Sequence, residues 1–314
     1  MQIRPFTMSV IIGSAACNAR CPFCISHMTP PDGITTKPEP INWKNWHQAC
    51  NLAVRSGVTT IMLTGKGEPT LFPEQISEVL TRLKPYDFPI IELQTNAITI
   101  ADGKLDEGTY FDGPSGSAPV STLQHWFNLG LRTIAISNVG INAELNRKIY
   151  TPYRKEYIDL AATIKKLHAI GFSVRLATVM IKDGVDNKEE VYNLIQFAKA
   201  NQVEQVSIRP VTGLHEVTKE DAPLDNKQLA VKWVETNSIP TKNLKEVNDF
   251  VSIFGTLLMT LPHGASVYDV GGQNICITNC LTHDTNPDSI RQLIYRSATG
   301  NIGYSWEYSG AIIL

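Results

Sequence analysis

From Met8 to Arg209 the chain repeats one pattern, a short apolar run that reads as a strand followed by a helical stripe. The six runs lie at about residues 8–14, 58–63, 90–95, 132–136, 172–181 and 205–209. Between the first two, Trp46, Ala49, Cys50, Ala53 and Val54 fall at i, i+3, i+4, i+7 and i+8, one face of a helix. Cys50 therefore reads as a small core residue rather than a ligand. A second helix starts at Pro73 and carries Ile76, Val79, Leu80 and Leu83, and further helices are expected over about 119–129, 158–170 and 187–200. Gly57, Gly130 and Gly171 stand at the expected helix stops. Strand and helix in strict alternation predict an α/β fold of parallel βα units. Six strands are counted, where a complete barrel has eight. In barrels of this kind the chemistry sits at the carboxyl ends of the strands.

The first strand end carries Cys17-Asn18-Ala19-Arg20-Cys21-Pro22-Phe23-Cys24. Thiols this close converge on one metal centre more readily than they form ordered disulfides. Iron–sulfur clusters are normally held by four cysteines, so three leave one iron without a protein ligand. An open position marks a metal site that does chemistry. Two other readings fit less well. A Cys3His zinc site could use His27, but the usual zinc spacings are not met. Gly13-Ser14-Ala15-Ala16-Cys17 has the small residues of a lipoprotein cleavage site, yet Arg4 is the only early basic residue and the preceding apolar run is short.

Other strand ends carry polar groups. Thr64-Gly65-Lys66-Gly67-Glu68-Pro69 follows the second strand, with two glycines that let backbone pack closely. Gln94-Thr95-Asn96-Ala97 closes the third, Ser137-Asn138 the fourth, and Arg209 ends the sixth. Arg175 lies within the fifth, between Val174 and Leu176.

The C-x3-C-x2-C spacing, with an aromatic residue before the last cysteine, resembles the signature of radical S-adenosylmethionine (SAM) enzymes, matched by Cys17, Cys21, Phe23 and Cys24. The resemblance extends over roughly residues 8–210 and is similar to the branch containing molybdenum-cofactor GTP-cyclising enzymes, without their C-terminal three-cysteine pattern. It implies a partial (β/α)6 TIM-like barrel over residues 1–220, with residues 221–314 as an α+β extension of helices and a hairpin packed on it. It also implies a [4Fe-4S] cluster on Cys17, Cys21 and Cys24, with SAM on the remaining iron. Phe23 is expected near the adenine, and Gly65, Gly67 and Glu68 match the family's glycine-glycine-glutamate-proline motif for the methionyl amine. Lys66 stands where many members carry glycine. Ser137 and Asn138 are expected at the ribose and Arg175 at the carboxylate of SAM. The implied reaction is reductive cleavage of SAM and hydrogen abstraction from a small polar substrate such as a nucleoside or nucleotide, fed by flavodoxin or ferredoxin. No catalytic acid or base is assigned. The alternatives are a peptide- or protein-modifying relative and a non-catalytic iron–sulfur or zinc protein; the few residues before the first strand argue against the former.

Beyond residue 220 the pattern changes. A helix is expected near 227–235, and Phe250, Ile253, Phe254, Leu257, Leu258 and Leu261 read as one buried helical stripe. Ser266–Val270 reads as a strand, and 293–296 with 302–308 as a hairpin around Thr299-Gly300-Asn301. Cys276 and Cys280 are too few for a second cluster by themselves. Residues 98–118 form an insertion of the length that lids often have.

At 314 residues and 43% apolar content the chain can bury a full core. A net charge of −2 gives no reason to expect nucleic acid. No apolar run approaches the roughly 20 residues of a membrane helix. Six cysteines in this length do not suggest a disulfide scaffold, and a reduced, cytoplasmic setting is expected, as an oxygen-sensitive cluster requires.

Overall fold

The computed structural model describes residues 5–108, 110–111, 119–212, 225–261, 264–278 and 290–314. In chain order these form β1 (Thr7–Ile11), α1 (Ile25–Met28), α2 (Trp46–Ser56), β2 (Thr60–Thr64), α3 (Pro73–Leu83), β3 (Ile90–Thr95) and α4 (Ile98–Ala101). There follow β4 (Tyr110–Phe111), β5 (Pro119–Val120), α5 (Thr122–Asn128), β6 (Thr133–Asn138), α6 (Ala143–Tyr150), α7 (Leu160–Ile170), β7 (Ser173–Met180), α8 (Lys188–Ala200) and β8 (Gln205–Pro210). The tail adds α9 (Asn226–Asn237), α10 (Thr241–Phe254), β9 (Thr256–Thr260), β10 (Ser266–Val270), β11 (Gln273–Ile277), β12 (Gln292–Arg296) and β13 (Asn301–Gly303).

The six strands expected from the alternation are β1, β2, β3, β6, β7 and β8, side by side in that order and parallel throughout. The tail extends the same sheet at both ends. β12 pairs parallel with β1, and β11 pairs parallel with β8. Antiparallel β13 and then β10 and β9 lie outside these, giving eleven strands in an open sheet. β4, inside the 98–118 insertion, makes a separate two-stranded ladder with β5; the start of that insertion, expected to be lid-like, is packed, with Ile98 and Ile100 of α4 and Leu105 in the core, while 109 and 112–118 lie outside the described residues.

Side chains alternate across each strand. One set, Met8, Val10, Ile61, Leu63, Leu93, Ile134, Ile136, Val174, Leu176, Val206 and Ile208, is buried against the helices in one continuous core. That core takes Ala49, Cys50 and Ala53 from α2, Ile76, Val79, Leu80 and Leu83 from α3, and Val191, Leu194 and Ile195 from α8. The opposite set includes Ser9, Met62, Thr64, Glu92, Gln94, Ser137, Arg175, Ser207 and Arg209. The inner face of the curved sheet is therefore polar, and its helix-facing side carries the hydrophobic stabilisation.

Two expectations for the tail are corrected. The apolar residues from Phe250 to Leu261 are not one buried helical stripe. α10 stops at Phe254, and residues 256–260 are strand β9. Gly255 sets the break: a Cβ there would stand 2.5 Å from the Val251 carbonyl oxygen and 2.9 Å from Val270. Val247 and Val251 are the buried residues of α10, whereas Ile253 and Phe254 are 73% and 67% exposed. The second hairpin strand is also shorter than expected and ends at Gly303. Tyr304, Trp306 and Tyr308 follow it in turns, because the chain folds back so that the Ser305, Tyr308 and Ser309 carbonyls accept from the Arg296 guanidinium. Helix α6 was not foreseen; it follows β6 directly and is capped by Asn142, which accepts from the Leu145 N–H.

Candidate active site at the strand ends

The cysteine loop leaves β1 through Gly13, whose φ of +72° suits glycine and whose missing Cβ leaves room for the Phe72 ring. Cys17 is exposed and Cys21 and Cys24 are half-buried; all three are free thiols. Cys17 Sγ accepts from the Ala19 N–H (3.4 Å) and from Asn96 Nδ2 (3.9 Å). The Cys24 N–H donates to the Cys21 carbonyl at 3.2 Å, a tight turn that leads into α1. Burial pushes the Cys17 thiol up to about 11 and Cys21 well above its ordinary value; Cys24 adds to the first shift, and Cys24 and Cys17 add to the second. Two thiols held protonated by burial, with a third beside them, are a donor set that a cationic centre would stabilise, since binding removes their protons. Among the described residues no three His, Cys, Asp or Glu side chains are arranged to hold a metal ion. A single ion needs donors that converge on one point, whereas a cluster takes each thiolate at a different iron. The donor set thus fits a cluster by its chemistry. His27 is exposed at the end of α1.

The loop after β2 packs against the cysteine loop backbone to backbone. A Cβ on Gly67 would lie 2.0 Å from the Ala16 carbonyl oxygen, and one on Gly65 3.0 Å from that of Ile12. The Glu68 N–H donates to the Ala16 carbonyl at 3.0 Å. The Glu68 carboxylate is buried and filled. One oxygen accepts from the Thr70 N–H (3.0 Å), Thr70 Oγ1 (2.7 Å) and Thr95 Oγ1 (2.6 Å), and the other from the Asn96 N–H (2.9 Å). Desolvation raises its pKa against these donors. Glu68 thus ties the ends of β2 and β3 together and shapes the loop around it.

Lys66 is buried as well. Its ammonium donates to Thr29 Oγ1 (2.9 Å) and the Pro30 carbonyl (2.7 Å) and lies 3.7 Å from Asp32. Asp32 also faces Arg296 of β12 at 3.3 Å. This buried group fastens the segment leaving the cysteine loop to the β2 loop and to the tail.

Asn96 links the third strand end to the cysteines: its amide donates to Asn18 Oδ1 at 2.7 Å, and Asn18 donates to Thr99. Asn138 is fully buried. Its oxygen accepts from the Gly140 N–H and Thr178 Oγ1, and its amide donates to the Ile136 carbonyl. Ser137 is half-buried on the inner face beside it. Arg175 lies lower on that face, level with Ala135 and Gln205, and pairs through Nη2 with Glu92, to which Gln94 also donates. Arg209 stands four register positions nearer the strand ends, opposite Val179.

Phe23 packs edge-on against Tyr150 (6.2 Å between ring centres) and tilted against Trp233 of α9 (5.5 Å). The Tyr150 and Tyr157 hydroxyls are buried without a hydrogen-bond partner among the described residues. Cys276 is buried in β11, and Cys280, the other half of the suggested pair, lies outside the described residues. The sequence reading missed Glu92, Asp32, Tyr150 and Trp233. Glu92 carried a signal, a charge inside an apolar strand; Tyr150 and Trp233 carried none, because α6 was not foreseen and α9 was not tied to the cysteine loop.

The Radical SAM superfamily model matches residues 11–198. No curated protein sequence matches the chain. Among solved structures it is similar to Streptococcus suis SuiB bound to precursor peptide SuiA, with a TM-score of 0.57 and 16% identity over 96% of this chain and 59% of that one. SuiB bound to S-adenosylmethionine gives 0.54 and 16% over 96% and 60%. A radical SAM methyltransferase from Sphaerobacter thermophilus gives 0.50 and 16% over 78% and 62%. The chain spans about three fifths of the length of these proteins, and at such identities the likeness is one of fold. Among the described residues no helix is long and apolar enough to cross a membrane.

Proposed function

The chain belongs to the radical SAM superfamily of enzymes, and from that premise we propose that it abstracts hydrogen from a small polar substrate, such as a nucleoside or nucleotide, with Cys17, Cys21 and Cys24 holding a [4Fe-4S] cluster. When bound, cluster and SAM together supply reductive C–S cleavage and a 5′-deoxyadenosyl radical. The observation that carries this reading is the trio of free thiols on the β1 loop, backed directly by Gly67.

The chain's own residues divide the binding work. Phe23, wedged between Tyr150 and Trp233, offers an apolar wall for adenine. Gly65 and Gly67 keep the backbone of their loop close to the cysteines, and Glu68 holds that loop in shape, so that its carbonyls receive the methionyl amine. Ser137 offers a hydroxyl to the ribose, with Asn138 setting the strand end beneath it. Arg175 serves the carboxylate with the face not taken by Glu92. A one-electron donor such as flavodoxin or ferredoxin completes the system.

A second reading, modification of a peptide, has one observation in its favour. β9 is an edge strand whose Leu257, Leu258 and Met259 are all exposed, the kind of rim to which an extended peptide adds as a further strand. The structure of SuiB holds a peptide, SuiA.

The test is anaerobic. Protein reconstituted with iron and sulfide, reduced with dithionite and given SAM should release 5′-deoxyadenosine. A colourless, zinc-loaded protein that leaves SAM intact would sink the enzyme reading. Faster cleavage with nucleosides supports the small substrate, and faster cleavage with peptides supports the second reading.

A further inference from the structure

The inner face of the sheet carries two arginines, Arg175 and Arg209, and the carboxylate of Glu92. Glu92 is spent on Arg175. The guanidinium of Arg209, on the same face by alternation with the buried Val206 and Ile208, has no hydrogen bond or ion pair with any described residue. It is half-buried, one residue from the carboxyl end of β8. Its electrostatic neighbours are Tyr150 and Arg175, and desolvation lowers its pKa to about 10. Around it are unused donors. Among the described residues the Tyr150 hydroxyl is buried without a partner, Tyr157 presents a second such hydroxyl with its ring 6.2 Å from that of Tyr150, and Arg175 Nε is buried and unpaired. A half-buried cation with no counter-charge among the described residues is costly. Phenol hydroxyls buried without partners add to that cost. One anionic group would relieve both.

We infer that Arg209, with the Tyr150 hydroxyl, receives an anionic oxygen group of the substrate, a carboxylate or a phosphate, at the mouth of the sheet. This rests on the reading that a substrate is bound there for hydrogen abstraction. It narrows that substrate to an acid, and it gives the two arginines separate duties. Arg175, neutralised from below by Glu92, is held on the floor, while Arg209 is the free fork at the rim. A guanidinium in this position offers two parallel N–H groups, the geometry that carboxylate and phosphate oxygens fit.

The test needs neither the cluster nor the true substrate. Inorganic phosphate and succinate are titrated calorimetrically into the full chain at constant ionic strength, for the wild type, Arg209→Gln, Arg209→Lys and the exposed control Arg55→Gln. Arg209→Gln should weaken the better-bound of the two anions about tenfold or more, Arg209→Lys less, and Arg55→Gln not at all. Preference for phosphate or for succinate identifies which acid the rim takes. Because the guanidinium has no partner among the described residues to lose, Arg209→Gln should melt no lower than the wild type. SAM affinity, measured separately on the same variants after anaerobic cluster reconstitution, should stay within about twofold, well inside the tenfold step of 1.4 kcal/mol. Equal anion binding by wild type and Arg209→Gln would overturn the inference. So would competition between phosphate and SAM with loss of both in Arg209→Gln, since the cation would then belong to SAM. Failure here leaves 5′-deoxyadenosine release untouched, so the two readings fail separately.

Discussion

Gly67 stands so close to Ala16 that a Cβ on it would lie 2.0 Å from the Ala16 carbonyl oxygen and 2.7 Å from that of Ser14. The contact is with backbone, which cannot swing aside as a side chain would. Gly67→Ala must therefore push the cysteine loop off the β2 loop and break the Glu68 N–H bond to Ala16. A loss of about 1–3 kcal/mol or more is expected in urea unfolding. Iron loading after anaerobic reconstitution should fall with it. A variant with wild-type stability and iron content would show that the loop does not need this packing.

Among the described residues Asp32 is the single anion between two buried cations, Lys66 and Arg296. Its φ of +54° is one that asparagine tolerates, so Asp32→Asn removes charge without backbone strain. Two unpaired buried cations remain, and a cost of about 3–5 kcal/mol is expected. Lys66→Met should cost less, because Asp32 keeps Arg296 and the two cations no longer repel each other. The order of the two urea midpoints checks this; the reverse order would mean that Arg296 does not neutralise Asp32.

Cys21→Ala should abolish cluster loading, whereas Cys50→Ala should keep it. Cys50 lies on the buried stripe of α2 and touches only core, so its loss shows as a stability change on the order of 1 kcal/mol and nothing else. Iron and sulfide content of the two variants separates ligand from filler. Unchanged iron in Cys21→Ala would count heavily against the assignment.

Asp102 at the end of α4 takes two hydrogen bonds from Arg154, at 2.9 and 2.6 Å. Those bonds, ahead of the other influences, hold its pKa below the usual value. A depressed carboxylate adds stability above its unfolded pKa and loses it as pH falls through the folded one. Asp102→Asn should thus cost about 1 kcal/mol near neutrality. The gap from the wild type should close as pH drops through roughly 4 and below. Urea unfolding at both pH values measures it; a gap that persists in acid would mean that the pair acts through shape, not charge.

Much of the barrel was legible because its information is local. Alternating strand runs and helical stripes, with Gly57 and Gly171 as stops, need no partner to be read, and the six parallel strands follow from them. The tail was less legible. Leu257, Leu258 and Met259 carry the same apolar signal whether helix or strand, and only Gly255 packed against Val251 and Val270 decides between the two. That β11 and β12 would join opposite ends of one sheet is a long-range pairing that no local pattern encodes.

The same division holds at the site. Sequence alone determined which atoms are available: three thiols four and three residues apart, a loop with two glycines, and polar groups at successive strand ends, all set by chain spacing. Only the folded sheet decided how they are used. It closed Glu68 inside four donors, matched Arg175 with Glu92, locked Lys66 onto Asp32 and left the Arg209 guanidinium without a partner among the described residues. The reason is physical: whether a charge is spent or free depends on its neighbours in space, and those come from strands that are distant along the chain.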